Sequence, residues 1–195
     1  MLAWIDVETS GLNPQEDLLF EVGLIVTDDQ LEERFRDHWI LQYDAAMLEA
    51  IQEICSPTVL EMHLKSGLWR DLAIPSGVNR IQPQQLDSAM MYAAYRAGSG
   101  WSQSQKVARI AGFNPGFDLN WLRVWAPKFA STCLHYGVFD SSTLREFVRY
   151  VYPTGWGPSQ TKPQHRSLGD CQAALDYARW FRANVMSPYN RAAGA

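Results

Sequence analysis

Trp4-Ile5-Asp6-Val7-Glu8-Thr9-Ser10-Gly11-Leu12 ends an apolar, β-prone run and opens a Gly-containing turn. In a strand, residues i and i+2 point to the same face. Asp6 and Glu8 therefore project side by side where the strand gives way to the turn. Two like charges at that spacing repel unless a cation lies between them, and paired hard oxygen donors suit Mg²⁺ or Mn²⁺. An Asp-x-Glu triplet alone is commonly solvated surface. This one directly follows Leu2-Ala3-Trp4-Ile5, and a second apolar run, Leu18 to Val26, comes soon after it.

A chain of 195 residues is most simply one domain, expected over residues 1–187 with 188–195 as a flexible tail. Its 47% apolar content fits a globular protein. It contains no run of about 18 apolar residues and no basic stretch ahead of an apolar one at its N-terminus. Neither a membrane span nor a signal peptide is expected, and the chain reads as cytoplasmic. Cys55, Cys133 and Cys171 are scattered, which suggests buried free thiols rather than a disulfide framework or a zinc site. The net charge of −4 argues against a broadly basic nucleic-acid surface. An enzyme that meets phosphates through bound cations can itself be acidic.

Strands are predicted over 2–7, 18–27 and 35–42, spaced as an antiparallel meander with Asp28-Asp29 at a turn. Helical composition follows at 45–54, broken by Pro57, then in part of 60–72; 74–83 reads as loop. Residues 84–97 form a helix with Leu86, Met90, Ala93, Ala94 and Ala97 on one face. A buried strand is expected at 107–113, a helix interrupted near Pro127 at 119–129, and a short strand at 138–140. A helix at 142–152 carries Leu144, Phe147, Val148 and Val151. Residues 153–164, with three Pro and two Gly, read as a mobile loop before a long C-terminal helix. The order predicts an α/β domain, a central mixed sheet flanked by helices.

Two further acidic sites stand out. Asp118 follows the strand at 107–113 and opens a helix, as a cap or as a third metal ligand at the rim of the same sheet. His165-Arg166-Ser167-Leu168-Gly169-Asp170 leads from the Pro/Gly-rich loop into the last helix. A five-residue offset on a helix turns about 140°, so His165 belongs on the loop, free to move protons, and Asp170 on the rigid helix.

Asp-x-Glu, a mid-chain Asp and a C-terminal His-x₄-Asp, in that order over residues 4–170, resemble the DEDDh family of 3′→5′ exonucleases. Within it the chain resembles oligoribonucleases at 4–12, at Met62-His63-Leu64-Lys65-Ser66-Gly67-Leu68, at His135-Tyr136 with Asp140-Ser141-Ser142-Thr143, and at 165–170. The resemblance implies a ribonuclease H-like exonuclease fold and two divalent cations, Mg²⁺ or Mn²⁺, held by Asp6, Glu8, Asp118 and Asp170, with His165 as general base. It implies substrate contacts at Leu12, His63, Ser66, Asn114, Tyr136 and Ser142. Tyr136 serves either substrate or interface packing. The implied substrate is short single-stranded RNA or DNA, acted on by a homodimer. The other reading is a proofreading exonuclease on single-stranded DNA ends with a polymerase partner, since Asn114-Pro115-Gly116-Phe117-Asp118 is nearer to that type. The chain departs from oligoribonucleases at Gly112-Phe113-Asn114, where Gly-Asn-Ser is usual. Gly137 stands where an Arg commonly follows His-Tyr, and Thr58 where a base-stacking Trp is common. These positions bear on the grip of a 5′ phosphate, so a flatter preference for substrate length is expected.

Overall fold

Residues 1–74, 77, 79–98, 108–153, 156–158 and 164–186 are described in the computed structural model. The meander forms as predicted: β1 (Leu2–Thr9), β2 (Leu19–Thr27) and β3 (Glu33–Leu41) pair antiparallel in sequence order. β1 runs two residues further than expected, so both Asp6 and Glu8 lie within it. The segment read as loop holds a two-residue strand, β4 (Arg80–Ile81), parallel to β3. β5 (Arg109–Gly112) runs parallel to β1, and β6 (Phe139–Asp140) parallel to β5. The mixed sheet has the order β4-β3-β2-β1-β5-β6, and helices cover both faces.

Capping chemistry sets the helix starts. Asp44 accepts from the Met47 amide to open α1 (Ala45–Ile54), and Ser56 accepts from the Val59 amide to open α2 (Pro57–Ser66). Pro57 thus begins a helix as well as separating two, because a first-turn residue needs no amide donor. Gly67, at φ 79°, ends α2 before α3 (Leu68–Leu72). α4 (Leu86–Arg96) buries the predicted apolar face. Pro115 starts α5 (Pro115–Trp125) four residues earlier than expected, and Pro127 starts α6 (Pro127–Thr132). α7 (Ser141–Val151) buries Val148 but leaves Phe147 and Val151 exposed, contrary to the expected apolar face. α8 (Ser167–Phe181) continues into a π turn at Arg182–Met186. The expected tail at 188–195 lies outside the described residues, as does most of the Pro/Gly-rich loop.

The pleat of β1 sorts the core. Ala3, Ile5 and Val7 join Leu86, Met90, Trp121 and Phe129 on one face. Trp4 and Ile25 meet Cys171, Ala174 and Leu175 of α8 on the other. Asp6 and Glu8 continue the Trp4 side, toward the start of α8. The start of α8 reaches the sheet because β2 has no side chain at Gly23: a Cβ there would lie 2.6 Å from the Ser167 carbonyl carbon. Gly23 pairs with Asp6, so this close approach brings the first turn of α8 over the Asp6 position. A β-bulge follows at once: Glu8 pairs with Glu21 but Thr9 with Leu19. The extra residue, Phe20, packs with Ile40, Leu48 and Leu68 under α1–α3. Among the described residues no helix is long and apolar enough to cross a membrane. The three cysteines are free; Cys133 and Cys171 are buried, whereas Cys55 is only half-buried.

Candidate active site

Four carboxylates from three elements meet at the end of β1. Asp6, Glu8, Asp118 and Asp170 line one pocket of about 450 Å³, which His165 also borders. β1 and β5 pair only as far as Trp4 and Ala111. Beyond that point the Val7 amide donates instead to Asp118 Oδ1 at 2.9 Å. This bond anchors α5 to the diverging strand and fixes Asp118 beside Asp6. Asp170, in the first turn of α8, accepts the Gln164 amide on Oδ1 and the His165 amide on Oδ2, both at 3.0 Å. His165 sits in the left-handed region at φ 52°, and these two bonds hold it there. It is therefore less free than a loop position suggests. Ligating atoms of Glu8, His165 and Asp170 all lie within 4.8 Å of one another.

The cluster is electrostatically loaded. Burial, then the charge of Asp118 and its acidic neighbours, holds the Asp6 carboxyl well above the usual carboxylate range. Burial pushes Glu8 up to about 8, aided by Asp170 and Glu21 and opposed by Arg166. Burial pushes Asp118 up to about 7 against the stabilising Val7 amide. Converging hard oxygens that resist sharing negative charge fit divalent cations. Between the ordinary carboxyl value of about 4 and about 8, the folded protein keeps protons that the unfolded chain has lost. Stability without metal therefore falls as pH rises through that window. In EDTA the melting temperature should drop from pH 5 to pH 8, and Mn²⁺ should restore it at pH 8. A flat or rising profile in EDTA would contradict this electrostatic picture.

A fifth acid, Glu21, was not singled out by sequence. It is 1% exposed and faces Glu8 across the β1–β2 pair. Arg166 grips it through Nη2 at 2.9 Å and Nε at 3.2 Å, and also reaches Asp71 at 2.8 Å. The Ser167 amide donates to it as well. The signal was available: a lone Glu in a run as apolar as 18–27 requires a cationic partner. This pairing occupies Arg166.

His63 is fully buried. Its Nε2 lies 2.8 Å from the Thr9 carbonyl and so carries the proton, while Nδ1 faces Glu8 Oε2 at 3.7 Å. Burial lowers its pKa, and the Phe20 ring packs edge-on against it at 5.4 Å. The bulge, Phe20 and His63 together back Glu8 from behind, so His63 supports the site rather than walling the pocket. Leu12 stands 81% exposed on the turn after β1. Ser66 lines a second pocket of about 400 Å³ that shares His165 with the first. Asn114, left-handed at φ 56°, donates its amide to Asp140 Oδ1 and to Ser142 Oγ. Tyr136 is 88% exposed, its ring tilted against that of His135, and borders neither pocket. At Gly137 the space for a side chain is taken by the flexible end of Arg109.

A mixed sheet of this topology, with four acids and a histidine converging at the end of its first strand, defines a DEDDh 3′→5′ exonuclease of the ribonuclease H-like fold. Among curated proteins, the chain is 32% identical over 190 residues to an oligoribonuclease of Cutibacterium acnes, covering 96% of this chain and 87% of the relative. An oligoribonuclease of Streptomyces avermitilis is 30% identical over 190 residues, with 96% and 88% covered. The chain belongs to the oligoribonuclease family. No family model matches it. Exonuclease I from Methylocaldum szegediense superposes with a TM-score of 0.62 at 17% identity, over 97% of this chain and 42% of that one. E. coli exonuclease I in complex with a dT13 oligonucleotide gives 0.64 at 14% identity, over 96% and 42%. At those identities the likeness concerns the fold.

Proposed function

We propose that this protein hydrolyses short single-stranded oligonucleotides from the 3′ end to nucleoside 5′-monophosphates. The convergence of Asp6, Glu8, Asp118 and Asp170 with His165 in one pocket carries the reading. The four acids would hold two divalent cations, Mg²⁺ or Mn²⁺. When bound, such ions polarise the scissile phosphate and stabilise the charge on the leaving 3′ oxygen. The chain's own part is to place the reacting groups. His165, within 4.8 Å of Glu8 and Asp170, takes a proton from the attacking water at an imidazole nitrogen. The water oxygen bonds to phosphorus, the bond from phosphorus to the 3′ oxygen breaks, and that oxygen acquires a proton from solvent. Glu21, neutralised by Arg166, and neutral His63 hold Glu8 without adding an unpaired charge behind it. Leu12 on the exposed turn suits a wedge against the terminal base. Tyr136, exposed and away from the pocket, suits a role across a homodimer interface. Three free cysteines suit a reducing, cytoplasmic compartment.

The test uses 5′-labelled RNA and DNA of two to ten nucleotides with Mn²⁺ or Mg²⁺ and no polymerase. Because Gly137 replaces an Arg, a charge-assisted hydrogen bond worth about 1.5–3 kcal/mol is missing from any closed cap over a 5′ phosphate. Rates should stay within about tenfold across these lengths, and Gly137→Arg should favour the shortest. A steep drop beyond the dinucleotide in the parent would refute the open cap. Turnover confined to DNA would instead favour the proofreading reading.

A further inference from the structure

The pocket that holds the carboxylates is also lined by Phe113, Asn114, Phe117 and Arg145. Arg145 is the one Lys or Arg among the described residues that line it. Its guanidinium carbon lies 5.0 Å from the centre of the Phe113 ring, a separation at which the cation is held by the ring's face. Phe113 is braced in turn by Tyr177, ring to ring at 6.2 Å. The neighbouring cations are occupied differently. Arg166 is bound to Glu21 and Asp71, and Lys65 pairs with Glu61 at 2.5 Å beside the second pocket. Among the described residues the Arg145 guanidinium makes no ion pair or hydrogen bond, which leaves its five donors available to a ligand on that count.

Local architecture fixes this placement. Asp140 caps α7 and, with Ser142, takes the Asn114 amide. The β5–α5 turn is thereby tied to the first turn of α7, and Arg145 lies about one turn further on. Phe113 stands where oligoribonucleases usually have Asn, and it provides a platform under a planar cation. Gly137 itself carries no cation, and the Arg109 guanidinium that fills its side-chain space does not line this pocket. A pocket lined by four acids has little to offer a phosphate that lies beyond the reach of bound metal ions. A guanidinium laid over an aromatic ring, with no ion pair among the described residues, is the group best shaped to meet one.

Resting on the proposed function, we infer that Arg145, laid over Phe113, binds the phosphate one nucleotide to the 5′ side of the scissile one. It takes either a terminal phosphate or an internal phosphodiester. The charge lost at Gly137 is thus supplied from α7, on an open wall instead of a closed cap. Such a contact selects for a second phosphate without limiting length, in keeping with a flat length profile.

The dinucleotides pApA and ApA separate this role from catalysis, because both contain the scissile phosphate and only pApA has another on its 5′ side. With Mn²⁺, the parent should favour pApA in kcat/KM by about tenfold or more. Arg145→Ala should raise KM for pApA by roughly 10- to 100-fold with kcat within about threefold, and should bring the pApA-to-ApA ratio toward one. Arg145→Lys, which keeps the charge but loses the fork, should recover part of the ratio. A retained kcat at saturating pApA shows that the variant is folded. A parent with no preference, or an Arg145→Ala variant that slows both substrates equally, would overturn the assignment while leaving the exonuclease reading standing. Failure of the parent to cleave either dinucleotide would overturn both.

Discussion

Asp6→Asn should slow turnover by at least about 10³-fold and, in the absence of metal, make the protein more stable at pH 8. Both effects come from one property of the site. Asp6 lies between Asp118, Glu8 and Asp170, and burial with their charges raises its pKa well above the ordinary range. Removing its charge forfeits metal-borne charge stabilisation of the order of 4 kcal/mol, and 1.36 kcal/mol is one decade in rate. The same change relieves repulsion in the metal-free fold. Each kcal/mol relieved raises the melting temperature by about 2–4 °C for a domain of this size. Asn is close in shape to Asp, so β1 and its pairing with Gly23 are not disturbed. Melting curves with EDTA and with Mn²⁺ at pH 8 provide the check. The parent should gain much from Mn²⁺ and the variant little. If the variant melts lower than the parent in EDTA, the repulsive cluster is not what the site stores. If it retains turnover, Asp6 is not a ligand.

The meander and the paired acids were legible because both depend on local periodicity. Alternation in 2–9 fixes which β1 residues share a face, and Asp6 and Glu8 fall on one side whatever packs around them. Asp118 and Asp170 were legible from their positions at element junctions. Helix starts were less so: Pro115 moved the start of α5 forward and set Asp118 in its first turn, where a cap had been the alternative reading. The Glu21–Arg166–Asp71 network depends on contacts over 95 and 145 residues of chain, which no local pattern encodes. His63 illustrates the same limit. Its sequence neighbourhood resembles a substrate-contacting signature, yet the bulge at Phe20 turns an aromatic ring onto it and buries it behind Glu8. α7 shows the converse: its apolar spacing predicts burial of Phe147 and Val151, but of its apolar residues only Val148 is buried, and Phe147 meets the Phe181 ring from a half-exposed position.

His165→Ala should lower kcat by roughly two to four orders of magnitude while leaving metal binding in place. A general base must be unprotonated to act, so the parent's rate should rise with pH. The variant should lose this rise. Asp170 is the informative comparison, because it performs two tasks. It faces Glu8 as a proposed ligand, and both its oxygens accept amides from residues 164 and 165. A left-handed, non-glycine residue such as His165 persists only where its surroundings hold it. Asp170→Asn replaces one acceptor by a donor facing an amide, so it should release His165 as well as weaken the metal site. Mn²⁺-induced stabilisation should therefore survive in His165→Ala and be lost in Asp170→Asn, although both variants are nearly inactive. If His165→Ala also loses that stabilisation, the imidazole is itself a ligand, and the proton must pass to another group. An unchanged rate in His165→Ala would exclude His165 from the chemistry altogether.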